Sequence, residues 1–216
     1  MKTIDFATGQ IGEAGAKLIG HYGSEADICR AARVSYGVVR KNKRTDEELL
    51  IFLLENGHLS PFEMASLHFD IKAPIYVARQ IMRHRTGKYS ERSLRYSVTT
   101  ECEYIDDKQI GSQQMNALNK EACLFYHANV QSPIREEYKL PREIARKVLP
   151  LCVMTKFEMQ IDLRNFMNFL EQRMSEHAQF ETRCYAREMY NHAERLFPTV
   201  MKWFSKNRNN DLVTEN

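Results

Sequence analysis

The chain has 216 residues, 43% of them hydrophobic and 27% charged, with a formal net charge of +3. That length suits one domain with a full core, or two small ones, and the near-balance of charge excludes a protein that coats nucleic acid through its overall field. The opening MKTIDFATGQ has no apolar leader core and no apolar run approaches the ~20 residues of a membrane span, so a soluble chain in the reducing cytoplasm is expected.

Five cysteines, Cys29, Cys102, Cys123, Cys152 and Cys184, are scattered without C-x-x-C spacing. They read as reduced, mostly buried thiols and argue against a zinc ribbon or a disulfide framework. No histidine pair has H-x-x-x-H spacing either, and no metal site is expected.

In chain order, residues 1–7 suit a short strand, and Ser24 starts a helix to about Arg33. Thr45 with Glu48 forms a capping box before the apolar run Leu49 to Leu54, and Gly57 stops that helix. His58 to Glu63 reads as a turn. Ala65 to Ile71 alternates as a half-buried strand, with Leu67, Phe69 and Ile71 on one face. Pro74 suits the first turn of a helix running from about Ile75 to Arg85, in which Gln80 and Arg83 share a face.

Tyr96 to Ile105 reads as a strand, and Ser112 to Val130 as a long polar helix. Residues 141–150 form a short helix with proline at each end, and Val153 to Leu163 is strand or helix. Arg164 to Met174 and Glu176 to Phe197 are helical, continuous through Ser175 in one reading, and the tail 206–216 is polar and frayed. With no repeat, low-complexity tract or long linker, 1–205 reads as a single domain of mixed α and β content.

Two polar concentrations stand out. Between Arg83 and Arg95 the chain places Arg83, Arg85, Lys88, Arg92 and Arg95 with one histidine and one acid. Such density either lines a phosphate-binding wall, for which arginine's planar fork is suited, or is a solvated basic helix end. In the late helices, Arg164 pairs by spacing with Asn168 and Arg173 with His177, while Arg164 and Arg173 lie about half a turn apart. The helix then serves two ligands or subunits, or one ligand and solvent.

Arg83-His84-Arg85, with Ser93 after seven intervening residues, resembles the signature of the flavin-dependent thymidylate synthases. So do KAPIYVARQIMRHR and ERSLRYS around it, HLSPFE at 58–63, ARVS at 32–35, PREIARKVLP at 141–150 and RNFMNFLEQRMSEHAQFE at 164–181, in the family's order over about residues 30–200. The resemblance implies an α+β fold, a mixed β-sheet flanked by helices, in a homotetramer whose active sites combine residues of several subunits. It implies conversion of dUMP to dTMP, with the carbon from 5,10-methylenetetrahydrofolate and the hydride from FAD reduced by NADPH, and no cysteine nucleophile.

By that resemblance FAD is contacted by Ser35, His58, Ser60, Glu63, Arg83, His84, Arg85, Glu91, Arg164, Asn168 and His177. The dUMP contacts are Gln80, Arg83, Glu91, Ser93, Arg95, Arg146 and Arg173, with Arg173 at the uracil edge as the catalytic residue. Three positions depart from the family: Ser90 and Asp162 stand where asparagine is common, and Arg92 replaces an apolar residue. Two rivals use the same residues. A nucleic-acid module would track a backbone with Arg83 to Arg95 and stack bases on Tyr89 and Tyr96. A flavoprotein reductase with another acceptor would not need Gln80, Arg95, Arg146 and Arg173 together.

Overall fold

A computed structural model describes residues 15–34, 44–97, 113–130 and 139–207. The expected strand at 1–7, most of that at 96–105, Ser35, Cys102 and the tail beyond 207 lie outside the described residues. The elements are β1 (Gly15–Tyr22), α1 (Glu25–Val34), α2 (Asp46–Glu55), a 3-10 turn (Ser60–Met64), β2 (Ser66–Pro74), α3 (Ile75–Ile81) and β3 (Lys88–Glu91). There follow α4 (Gln113–Val130), α5 (Arg142–Ala145), a 3-10 turn (Arg146–Val148), β4 (Met154–Asp162), α6 (Leu163–Arg173), α7 (Phe180–Leu196) and α8 (Pro198–Asn207).

The sheet has four strands in the order β1-β2-β4-β3 and is antiparallel, where a mixed sheet was expected. Bonds at the two ends of the β2–β4 pair, Ile75 N–H to the Val153 carbonyl and Leu163 N–H to the Ala65 carbonyl, fix its register. The ambiguous segment 153–163 is therefore a strand. Leu67, Phe69, Ile71 and Ala73 of β2 are buried, as are Phe157, Met159 and Ile161 of β4, so each contributes one alternating apolar face to the core.

The chain clusters into two units, one of 1–15, 71–83 and 90–157, the other of 16–70, 84–89 and 158–216. In the first, α4 packs on α5 and on the 3-10 turn that continues it. In the second, α1 packs on α2 and on the Ser60–Met64 turn, α6 on that turn and on α7, and α8 on α2 and α7. Phe69 stacks on Phe166 at 5.8 Å between centroids, and Phe166 on Phe169 at 5.9 Å, an aromatic row leading from the sheet into α6.

The capping box of α2 is complete: the Thr45 hydroxyl accepts from Glu48 N–H, and the Glu48 carboxylate accepts from Thr45 N–H. Gly57, at φ +67°, ends that helix in the left-handed region. Four expectations change. The helix after Pro74 stops at Ile81, not Arg85, because the chain turns to bury His84. Tyr96 and Ser97 belong to a turn closed by their N–H groups on the Ser93 carbonyl, not to a strand. The late helix is not continuous through Ser175, since 174–179 separate α6 from α7. His177 thus lies outside α6, and its four-residue spacing from Arg173 places no shared helix face. Finally, Cys123 is disulfide-bonded, against the expectation of reduced thiols throughout, while Cys29, Cys152 and Cys184 are free.

Among the described residues no helix is long and apolar enough to cross a membrane, and no group of three or more His, Cys, Asp or Glu is placed to hold a metal.

Candidate active site

The matched residues fall into two constellations. In the second unit, His84 follows the end of α3 and turns inward, 6% exposed, while Arg83 and Arg85 on either side are exposed. Its ring meets Phe169 edge-on at 5.0 Å, and its Nε2 accepts a hydrogen bond from Nε–H of Arg173, at the end of α6, at 2.9 Å. Burial first, and then the Arg173 charge, press the imidazole down to about 4. The ring is neutral at pH 7, and an accepting Nε2 assigns its proton to Nδ1. The His84 carbonyl accepts from both the Tyr89 hydroxyl at 2.9 Å and Gly87 N–H at 3.0 Å.

On another face of α6, Arg164 forms an ion pair with Glu63 of the 3-10 turn. Arg164 and Asn168 line a cleft of about 730 Å3 with apolar walls from Leu54, Leu59 and Met167, and with Trp203 and Asn207 of α8. One polar face of the helix thus lines the cleft, and Arg173 turns to His84. A cation, an amide and apolar walls in one cleft fit a dinucleotide, whose diphosphate asks for charge and whose rings ask for flat contact. Asp162, one of the three departures, caps α6: its carboxylate accepts from the N–H and the side-chain amide of Asn165, at 2.9 and 2.6 Å. Its charge is accounted for by the helix start. His58 and Ser60 are exposed around the turn before β2, with the His58 ring 6.0 Å from Phe52, and His177 is exposed beside Glu176.

In the first unit a turn follows β3. The Ser93 hydroxyl accepts from Arg95 N–H at 3.2 Å, and the Ser93 carbonyl accepts from the Ser97 hydroxyl at 2.9 Å. Arg92 Nε–H donates to the Ser97 hydroxyl at 3.1 Å, and Arg142 donates to the Tyr96 carbonyl at 2.9 Å. Arg142 therefore braces the turn, and the departure at Arg92 has a structural partner. Arg95 projects over the Tyr96 ring and pairs through Nε with Glu143 at 3.2 Å. Glu91, at the end of β3, accepts from the Thr155 hydroxyl at 2.7 Å. Gln80 is half-buried on α3, Arg83 lies just past its end, and Arg146 is exposed at the start of its 3-10 turn, while Ser90 is exposed in β3.

Sequence reasoning missed Glu143, Trp203 and Asn207, and gave Tyr89 a stacking role in a nucleic-acid module only. Glu143 lies inside a matched block, and its opposite charge to the arginines was the available signal.

A four-stranded antiparallel sheet with helices packed beside it defines an α+β protein. The family model described as thymidylate synthase complementing protein matches residues 17–199, and the chain belongs to that family. The flavin-dependent thymidylate synthase of Treponema pallidum is 40% identical over 194 residues, covering 79% of this chain and 62% of that protein. Those of Thermosipho africanus and Pseudothermotoga lettingae are 35% and 36% identical, over 88% and 87% of this chain and 90% and 86% of theirs. The chain thus spans under two thirds of the first of these relatives and most of the other two.

Proposed function

We propose that the protein is a flavin-dependent thymidylate synthase that converts dUMP to dTMP, with the carbon from 5,10-methylenetetrahydrofolate and the reducing equivalents from NADPH through FAD. Bound FAD would supply the hydride; the chain's own residues bind, orient and polarise. The observation that carries the reading is the Ser93–Ser97 turn, in which a family signature serine is hydrogen-bonded into a loop bearing Arg92 and Arg95 and braced by Arg142. Such a turn suits a nucleotide phosphate, with Arg95 and Arg146 as its guanidiniums, Ser93 as hydroxyl partner, and Gln80, Arg83 and Glu91 for the rest of dUMP.

For FAD, Arg164 and Asn168 would bind through the cleft. His58, Ser60, Glu63, Arg83, Arg85, Glu91, His177 and Ser35 would complete the flavin contacts. Arg173 would hold positive charge at the uracil edge, favouring hydride addition to the ring. Most of these side chains are exposed in the single chain, including Arg85, Arg95, Arg146, Arg164 and His177, which suits a homotetramer whose copies complete one another's sites. Residues 1–205 would form the catalytic domain and 206–216 a polar tail.

Cysteine takes no part in this scheme. Burial, with Asp46 nearby, pushes the Cys29 thiol up to about 11, and burial raises Cys152 and Cys184 as well. Thiols so shifted are protonated at neutral pH and are weak nucleophiles.

The test is an absorbance spectrum of the purified protein, then dUMP in the same cuvette, then turnover with the folate and NADPH. Flavin bands that move with dUMP, and dTMP formed, are expected. A protein that takes up no added FAD overturns the proposal. NADPH oxidation indifferent to dUMP and folate overturns it in favour of a reductase with another acceptor.

A further inference from the structure

Among the described residues of the matched set His84 is the least exposed, and its position does not suit a simple flavin contact. The described buried polar side chains are only His84, Thr155 and Thr182. At 6% exposure, with Phe169 against one side of the ring and Arg173 on Nε2, the His84 ring presents little surface to a ligand. Its surroundings are instead built to hold the ring still. Two donors, the Tyr89 hydroxyl and Gly87 N–H, fix the His84 carbonyl and so the peptide that carries the side chain. A Cβ at Gly87 would lie 2.6 Å from the Tyr89 oxygen, so only glycine lets that ring approach. Burial raises the Tyr89 phenol to about 12, which keeps it a donor across the working pH range.

We infer that His84 is a positioning residue: its neutral ring, with the proton on Nδ1, accepts from Nε–H of Arg173 and sets the plane of that guanidinium before substrate arrives. The inference rests on the role proposed for Arg173 and deepens it. An arginine side chain carries about 2 kcal/mol of rotamer entropy when loose. Ordering it in the free protein removes that cost from the step in which it meets the uracil. The choice of a histidine acceptor over a carboxylate also has a consequence. A carboxylate in that place would neutralise the guanidinium, whereas a neutral imidazole orients it without setting a negative charge against it. Protonation of Nε2 would set two donors face to face, and burial together with the Arg173 charge opposes it.

Four substitutions and one spectrum test this. His84→Leu keeps apolar bulk and removes the acceptor; His84→Gln returns an acceptor oxygen near the place of Nε2. His84→Leu is expected to retain flavin and to lower kcat for dUMP by roughly tenfold or more, and His84→Gln to recover most of the loss. In an Arg173→Ala background, His84→Leu should cost nothing further in the dUMP-induced change of the flavin bands, because the histidine acts only through the arginine. Equal losses in His84→Leu and His84→Gln, additive effects with Arg173→Ala, or release of flavin as the sole defect overturn the inference.

Should His84→Leu fail to fold, ring nitrogen shifts of the intact protein decide. An Nδ1–H tautomer at pH 7 whose Nε2 resonance moves in Arg173→Lys, which has no Nε–H, is the expected result, and an Nε2–H tautomer or an imidazolium overturns it. This spectrum needs no turnover. An unproductive wild type with the expected tautomer would refute the proposed reaction and leave the His84–Arg173 pair standing.

Discussion

Arg95 Nε lies 3.2 Å from a carboxylate oxygen of Glu143, so the guanidinium proposed to take a nucleotide phosphate is paired with the chain's own anion. Both side chains are about half exposed, at 56% and 54%, and such a pair is worth about 0–1 kcal/mol. A phosphate taken up by Arg95 would compete with Glu143 for that guanidinium. Glu143→Gln should therefore tighten dUMP, by no more than about fivefold, with the gain shrinking as salt is raised. Arg146→Ala should act in the opposite sense, raising KM for dUMP without loss of bound flavin. Titration of each variant with dUMP reads both effects; unchanged affinity in Arg146→Ala removes that residue from the site.

The buried His84 makes stability depend on pH. Its ordinary value is 6.5 and its folded value about 4. Between those values the unfolded chain takes up a proton that the folded chain refuses, so stability is lost as pH falls from about 6.5 towards 4 and the loss levels off below. The full effect amounts to about 3 kcal/mol. Glu188, raised by burial, contributes with the opposite sign as its carboxylate protonates, so the comparison is wild type against His84→Gln. Denaturant unfolding at pH 7 and pH 5 should show a steeper loss in wild type than in the variant. Parallel pH dependences would place the His84 proton equilibrium elsewhere.

Tyr89 and Gly87 support the same segment by contact. Tyr89→Phe removes one of two donors to the His84 carbonyl and should cost about 0.5–1.5 kcal/mol. Gly87→Ala brings a methyl within 2.6 Å of the Tyr89 oxygen, so the ring must shift and the same bond is lost along with its packing. A cost of about 1–3 kcal/mol follows, with turnover reduced if the His84 ring moves in consequence. A thermal melt of Gly87→Ala that matched wild type would show that the ring has room to yield.

Elements whose causes are local were legible in the sequence. Thr45, Glu48 and Gly57 specify α2 from start to stop within thirteen residues, and every one of those bonds is present. The alternation of Leu67, Phe69 and Ile71 specifies a strand because burial on one face is itself a period of two. What failed to show depends on distant partners. Residues 82–85 continue the helical pattern of α3, but His84 leaves the helix for Arg173, 89 positions on. β3 has the polar, largely exposed sequence KYSE and no apolar alternation to announce it; its pairing with β4 makes it a strand. α8 begins at Pro198, which reads as the end of α7 as readily as the first turn of another helix. The candidate site residues came from ordered motifs, but their spatial grouping did not: His84 and Arg173 sit in different blocks, and only the fold brings imidazole to guanidinium.

The thiols give the most direct test of mechanism. The Cys29 sulfur donates to the Asp46 carbonyl and its pKa stands at about 11, so at pH 7.5 roughly one molecule in a few thousand carries the thiolate there. Cys184 is buried, Cys152 is half-buried, both are raised in the same direction, and Cys123 is committed to a disulfide. A cysteine-dependent methylation would need an accessible thiolate aimed at the pyrimidine ring. Replacing all five cysteines, with alanine at the buried Cys29, Cys123 and Cys184 to avoid an unpaired hydroxyl, should cost about 1 kcal/mol at each free core site and about 2–5 kcal/mol for the lost Cys123 disulfide. Turnover per bound flavin should remain within about threefold of wild type, since no step of the proposed reaction passes through sulfur. Turnover at background in a variant that is folded and still binds flavin would show that a thiol attacks the substrate. Arg173 would then serve a covalent reaction in place of polarising the ring for direct hydride addition.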